Sequence, residues 1–144
     1  MGVNKVIESN TLKNKFVLFT GNNNFNLVAN ARKGIGSDVF YDFAALIKMS
    51  EKNLAQIIHL STRTISNYKA NKKSLEPLQS EHLLKLISLY QLGEELFGNL
   101  DEFNYWLQKP FWNRPEKPIE WLITPGGVDL VRDELMRLAY GDAL

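Results

Sequence analysis

Apolar residues recur three and four positions apart along most of this chain from residue 38 onward, a period that predicts helices rather than strands. Val39, Phe40, Phe43, Ala44, Leu46 and Ile47 fall on one broad face of a helix that Asp38 opens. Ser50 stands where its hydroxyl oxygen can accept a free backbone N–H, and Leu54, Ile57 and Ile58 follow at helical spacing. Ser61 or Thr62 supplies another N-cap before Ile65 and Tyr68, which leaves a tight turn around His59 and Leu60. A basic linker from Asn71 to Leu78 leads to a longer helix carrying Leu83, Leu84, Leu86, Ile87, Leu89 and Tyr90, capped by Ser80 and ended by Gly93.

Beyond it the pattern shortens. Asn99 followed by Glu102 resembles a capping box for a helix through Phe103, Trp106 and Leu107, and Pro110, Pro115 and Pro118 then impose a stiff, extended stretch. The last helix, from Gly127 to Tyr140, sets Val128, Val131, Leu135 and Leu138 on one stripe, which reads as core packing and leaves the exposed neighbours for any partner. Residues 1–26 lack this period: they are polar and Asn-rich, with one β-type run, Phe16 to Phe19, before a turn-like Gly21-Asn22-Asn23-Asn24. The expectation is an all-α protein with a flexible N-terminal arm at 1–26, a first helical domain at 27–98 and a small second one at 99–144.

A hydrophobic fraction of 44% describes a chain that buries a core, neither disordered nor membrane-spanning. No cysteine is present, so disulfides and thiolate metal sites are ruled out, which fits a reducing compartment. Met1 to Lys15 holds no apolar run of signal-peptide length, so a cytoplasmic location is expected. The net charge of +1, from 17 Lys+Arg against 16 Asp+Glu, leaves nucleic-acid binding to be decided by where the charge sits.

The charge sits on the second of two short helices. A helix-turn-helix needs a small residue where its helices cross, a turn residue tolerant of a left-handed backbone, and apolar anchors behind. Ala55, His59 with Leu60, and Ile65 with Tyr68 occupy those places, with histidine standing where glycine is usual. If Ile65 and Tyr68 face inward, Thr62, Arg63, Thr64, Ser66, Asn67 and Lys69 face out. Arg63 can fork onto guanine and Asn67 onto adenine in the major groove, while Lys69, Lys72 and Lys73 suit phosphates. A solvated helical face with a basic loop is the plainer reading, but the basic run coincides with the turn pattern.

The segment Ser61-Thr-Arg-Thr-Ile-Ser, then Leu75, then Gln79-Ser80-Glu81 before a Leu-rich helix, resembles the Xre-type antitoxins of the Xre/MbcA/ParS group. Downstream, Leu96-Phe97-Gly98, Phe103 with Trp106-Leu107, Pro118, Leu122 with Thr124, Gly127, Val131, Leu135 and Tyr140-Gly141 are similar in order and spacing to that group's C-terminal toxin-binding domain. The chain departs at Phe111-Trp112-Asn113-Arg114-Pro115-Glu116-Lys117, where members of the group often carry a Leu-Gly-Gly-type turn. The resemblance implies an antitoxin of a type II toxin–antitoxin module. Such a protein binds and neutralises a cognate toxin, favoured here to be a RES-domain, NAD-degrading protein, and represses their shared operon through the helix-turn-helix. The toxin contacts expected on this chain are Trp112, Arg132, Arg137, Tyr140, Gly141 and the carboxylate of Leu144.

Catalysis finds little support: His59 and His82 are the only histidines and lie in separate helical units, with no metal-ligand spacing around them. No cofactor is expected. The competing readings are a stand-alone helix-turn-helix transcriptional regulator without a toxin partner, and an interaction module that keeps the fold without binding DNA. A homodimer is expected, because such proteins read two half-sites with matching two-fold symmetry.

Overall fold

The computed structural model describes residues 11–20, 24–111 and 113–141, and within them every regular element is helical. They run α1 (Thr11–Thr20), α2 (Asn24–Lys33), α3 (Ser37–Leu46), α4 (Glu51–Ile57), α5 (Thr62–Ala70), α6 (Pro77–Phe97) and α7 (Leu100–Leu107). A 3-10 helix, Pro118–Ile123, and α8 (Pro125–Tyr140) complete the described elements. The all-α expectation holds for the described residues.

Helix α6 is the axis. Leu83, Leu84, Leu86, Ile87, Leu89 and Tyr90 are all buried, more of the circumference than a surface helix hides, because α1, α2, α7 and α8 all pack on it. Its ends differ from the sequence-based expectation. Pro77 occupies the first turn, where a missing N–H costs nothing, and Gly98, at φ 89°, ends the helix in the left-handed conformation. Ser80 is not a cap but a buried internal residue: its hydroxyl accepts from the Ile35 N–H at 2.9 Å and donates to the Leu75 carbonyl at 3.2 Å. Gly93 lies inside the helix because a Cβ there would come within 2.4 Å of the Phe103 ring. Ser80→Ala should therefore cost about 1–3 kcal/mol in urea unfolding, since it leaves the buried Ile35 N–H unpaired; a loss below a few tenths would mean that the N–H finds another acceptor.

The N-terminal expectation is corrected in part. Residues 1–10 and 21–23 lie outside the described residues, but the β-type run from Phe16 to Phe19 is helical, and α1 docks on α6. Leu12 and Phe16 are buried, with the Phe16 ring edge-on to Phe43 at 6.1 Å. The Thr20 hydroxyl donates to Gln91 Oε1 at 3.1 Å. Buried Glu94 accepts from the Leu12 backbone N–H, and its carboxyl is raised above its ordinary value because burial penalises the charge. A β-type composition yields here to an apolar pair at i, i+4 that meets a ready-made groove.

Helix α3 opens at Ser37, one residue before Asp38, and α8 opens at Pro125, two before Gly127. The proline-rich stretch ends in the 3-10 helix, which periodicity does not reveal because six residues make two turns.

Candidate functional site

Helices α4 and α5 meet at the tight turn that the caps predict. Ser50 Oγ accepts from the Asn53 N–H at 3.1 Å and Ser61 Oγ from the Thr64 N–H at 3.0 Å, which fixes both helix starts. Between them His59 takes a left-handed backbone, φ 63°, and the Leu60 N–H donates to the Ala55 carbonyl at 2.9 Å. Ala55 and Ile65 are buried where the helices cross, and Tyr68 is half-buried.

Thr62, Arg63, Ser66, Asn67, Lys69, Lys72 and Lys73 are all exposed, so the outward set predicted for α5 and its loop forms one accessible surface. Thr64 is the exception: it is half-buried and its hydroxyl lies 2.9 Å from Ser61 Oγ, which ties it to the cap. Residues 61–73 carry four basic side chains and no acidic one, a concentration that the near-neutral total conceals. Two of these cations rest on aromatic rings, which the linear sequence does not show. Lys69 Nζ lies 5.0 Å from the Tyr41 ring centre and Lys73 Nζ 5.2 Å from that of Tyr68, contacts that favour these ammonium positions by about 0.5–1 kcal/mol each. Lys73 also lies 3.7 Å from Glu76.

The second surface is on α8. Thr124 Oγ1 accepts from the Gly127 N–H at 2.9 Å, and Val128, Val131 and Leu135 face the core. Leu138, the fourth member of that stripe, is 60% exposed and lines a surface groove with Trp106, Pro110 and Pro118 instead. Arg137 is paired with Glu134 and borders this groove and a neighbouring one that holds Phe111, Trp121 and Leu130. Arg132 points elsewhere, its guanidinium donating to Ser88 Oγ at 3.3 Å. Tyr140 and Gly141 are exposed at the end of α8, whereas Trp112 and Leu144 lie outside the described residues. The two arginines thus do not share one patch: Arg137 joins the apolar grooves and Arg132 the flank of α6. Trp106 stacks on Phe103 at 6.0 Å and is half-buried against the core.

The histidines, 23 positions apart in sequence, meet in space with ring centres 6.1 Å apart. His59 Nε2 lies 2.7 Å from the Ile123 carbonyl and His82 Nε2 2.8 Å from the Leu122 carbonyl. A carbonyl only accepts, so both rings carry their proton on Nε2. Burial holds His82 below its ordinary value, with the carbonyl partner opposing and His59 and Lys85 adding to the depression. Among the described residues no group of three or more His, Asp or Glu could hold a metal ion. No helix there is long and apolar enough to cross a membrane.

Residues 27–88 match the family model of the antitoxin Xre-like helix-turn-helix domain. Residues 92–141 match that of the antitoxin Xre/MbcA/ParS C-terminal toxin-binding domain. A search of curated proteins returns no match.

Proposed function

The chain carries both domains of the Xre-type antitoxins, a helix-turn-helix and a C-terminal toxin-binding domain, and from that premise we propose that it neutralises a cognate toxin and represses the operon encoding the pair. The observation that carries the proposal is the presence, in one chain, of a basic, acid-free recognition helix and a toxin-binding domain. Arg63 and Asn67 read bases; Lys69, Lys72 and Lys73 contact phosphates, with Lys69 and Lys73 pre-positioned by their tyrosines. Thr62 and Ser66 add polar contacts, and Thr64 serves mainly to fix the helix start. The toxin docks on α8 through Arg137, Tyr140 and Gly141, with Arg132, Trp112 and Leu144 as further contacts. A RES-domain, NAD-degrading toxin is the favoured partner, the protein acts in the cytoplasm, and two copies bind the operator as a homodimer; light scattering that reports a monomer at working concentration would remove the last of these.

Co-expression with the product of the adjacent open reading frame tests the reading. The two proteins are expected to co-purify, and deletion of residues 127–144 to release growth arrest. For DNA, Arg63→Gln with Lys69→Gln is expected to weaken binding to a duplex from upstream of the gene by at least about tenfold, from loss of a base contact worth about 1–3 kcal/mol. The slope of log affinity against log salt should shrink by about 0.9 for each lost phosphate contact. Toxin neutralisation should survive; equal loss of both activities would overturn the division of labour.

A further inference from the structure

A turn residue at φ 63° favours glycine, which has no Cβ to clash, yet this chain places a histidine there. Its side chain crosses to the other domain and donates to the Ile123 carbonyl at 2.7 Å. Ile123 immediately precedes Thr124, the N-cap of α8, and the preceding carbonyl, of Leu122, is held by His82. The 3-10 helix cannot slide freely against α8, because the first turn of α8 rides on its backbone: a Cβ at Gly127 would sit 1.7 Å from the Trp121 carbonyl oxygen. A displacement of α8 is therefore passed to the Leu122 and Ile123 carbonyls, and from Ile123 to the turn between α4 and α5 through the His59 side chain, beside the packing of α4 on the 3-10 helix.

We propose that His59 is a positioning residue that couples the toxin-binding helix α8 to the DNA-reading helix α5. The proposal rests on the antitoxin reading above and adds its regulation: occupancy of α8 by toxin alters the pose of α5, and operator occupancy alters toxin affinity by the same factor. One solvent-exposed hydrogen bond, among the several that join the two units, bounds the share that His59 carries at about tenfold. The coupling explains why the steric convenience of glycine is given up at this turn.

His59→Gly is the discriminating variant, since glycine accepts the turn's backbone without strain and removes only the side chain. The affinity for a fluorescent duplex from upstream of the gene is measured for the full chain alone and for its complex with the product of the adjacent open reading frame. In the unaltered protein the two dissociation constants should differ by about three- to tenfold. In His59→Gly their ratio should move toward one by at least about twofold, while toxin affinity and the free chain's DNA affinity each stay within about threefold. An unchanged ratio in the variant, or a ratio of one in the unaltered protein, overturns the coupling while leaving the antitoxin reading intact. Failure of the complex to form, or of the free chain to bind the duplex, overturns both.

Discussion

Phe103→Ala should lower the unfolding free energy by about 3–5 kcal/mol, the largest stability loss expected from one substitution here. The ring is fully buried at the centre of the packing of α7 on α6: it sits 5.1 Å from Tyr90 at near-right angles, 6.0 Å from Phe97 and 6.0 Å from Trp106. Gly93 contributes by having no side chain, so the ring lies against the α6 backbone. Tyr90 in turn meets Phe43 at 5.4 Å, and Phe43 meets Phe16, an aromatic chain running from α7 through the first domain to α1. Truncation at Phe103 leaves a cavity whose walls are helices, which collapse poorly, and this places the cost near the upper half of its range. Urea unfolding followed by circular dichroism measures it; a loss under about 1 kcal/mol would mean that Trp106 or Phe97 swings in to fill the space.

Gly127→Ala is the second. The added methyl would lie 1.7 Å from the Trp121 carbonyl oxygen and 3.1 Å from Thr124 Oγ1, so backbone must move against backbone. The cost should reach about 2–3 kcal/mol, the top of the range for overpacking, despite alanine's better helix propensity. Because the shift separates α8 from the 3-10 helix, toxin affinity should fall with stability. Gly126→Ala is the control: nothing lies within 4 Å of its added Cβ, and it should gain up to about 1 kcal/mol. Equal melting temperatures for the two variants would contradict the contact.

These glycines mark where sequence stops being informative. Helices α3 to α7 were legible because their apolar faces repeat at helical spacing and Ser50, Ser61 and Asn99 cap them locally, each accepting from the N–H three residues on. The left-handed backbone at His59 was legible for the same local reason. Ser80 and Gly93 were misread because a cap and a breaker look, in one dimension, like a buried hydroxyl and a site of close approach; only the residues across from them, Ile35 and Phe103, tell the two apart. The helix over Phe16 to Phe19 was hidden because its stability comes from α6 rather than from its own composition. The basic face of α5 was visible as a run of residues, but the tyrosines beneath Lys69 and Lys73 were not, since Tyr41 reaches Lys69 from another helix. Arg132 and Arg137 part to two sides of α8 for a comparable reason: Ser88, 44 positions away, claims Arg132.

The two family matches end at residue 88 and begin at residue 92, and both limits fall inside the uninterrupted helix Pro77–Phe97. The join between the DNA-reading and partner-binding units is therefore rigid and has a phase. One residue inserted there would advance everything downstream by about 1.5 Å and rotate it by about 100° around the helix axis. The carbonyls of Leu122 and Ile123 would then swing away from the two imidazoles that hold them. A lineage that exchanged partners by recombining these units would have to keep the count of residues across α6 fixed, so its length acts as a gear ratio between the helix-turn-helix and the toxin-binding domain rather than as a spacer.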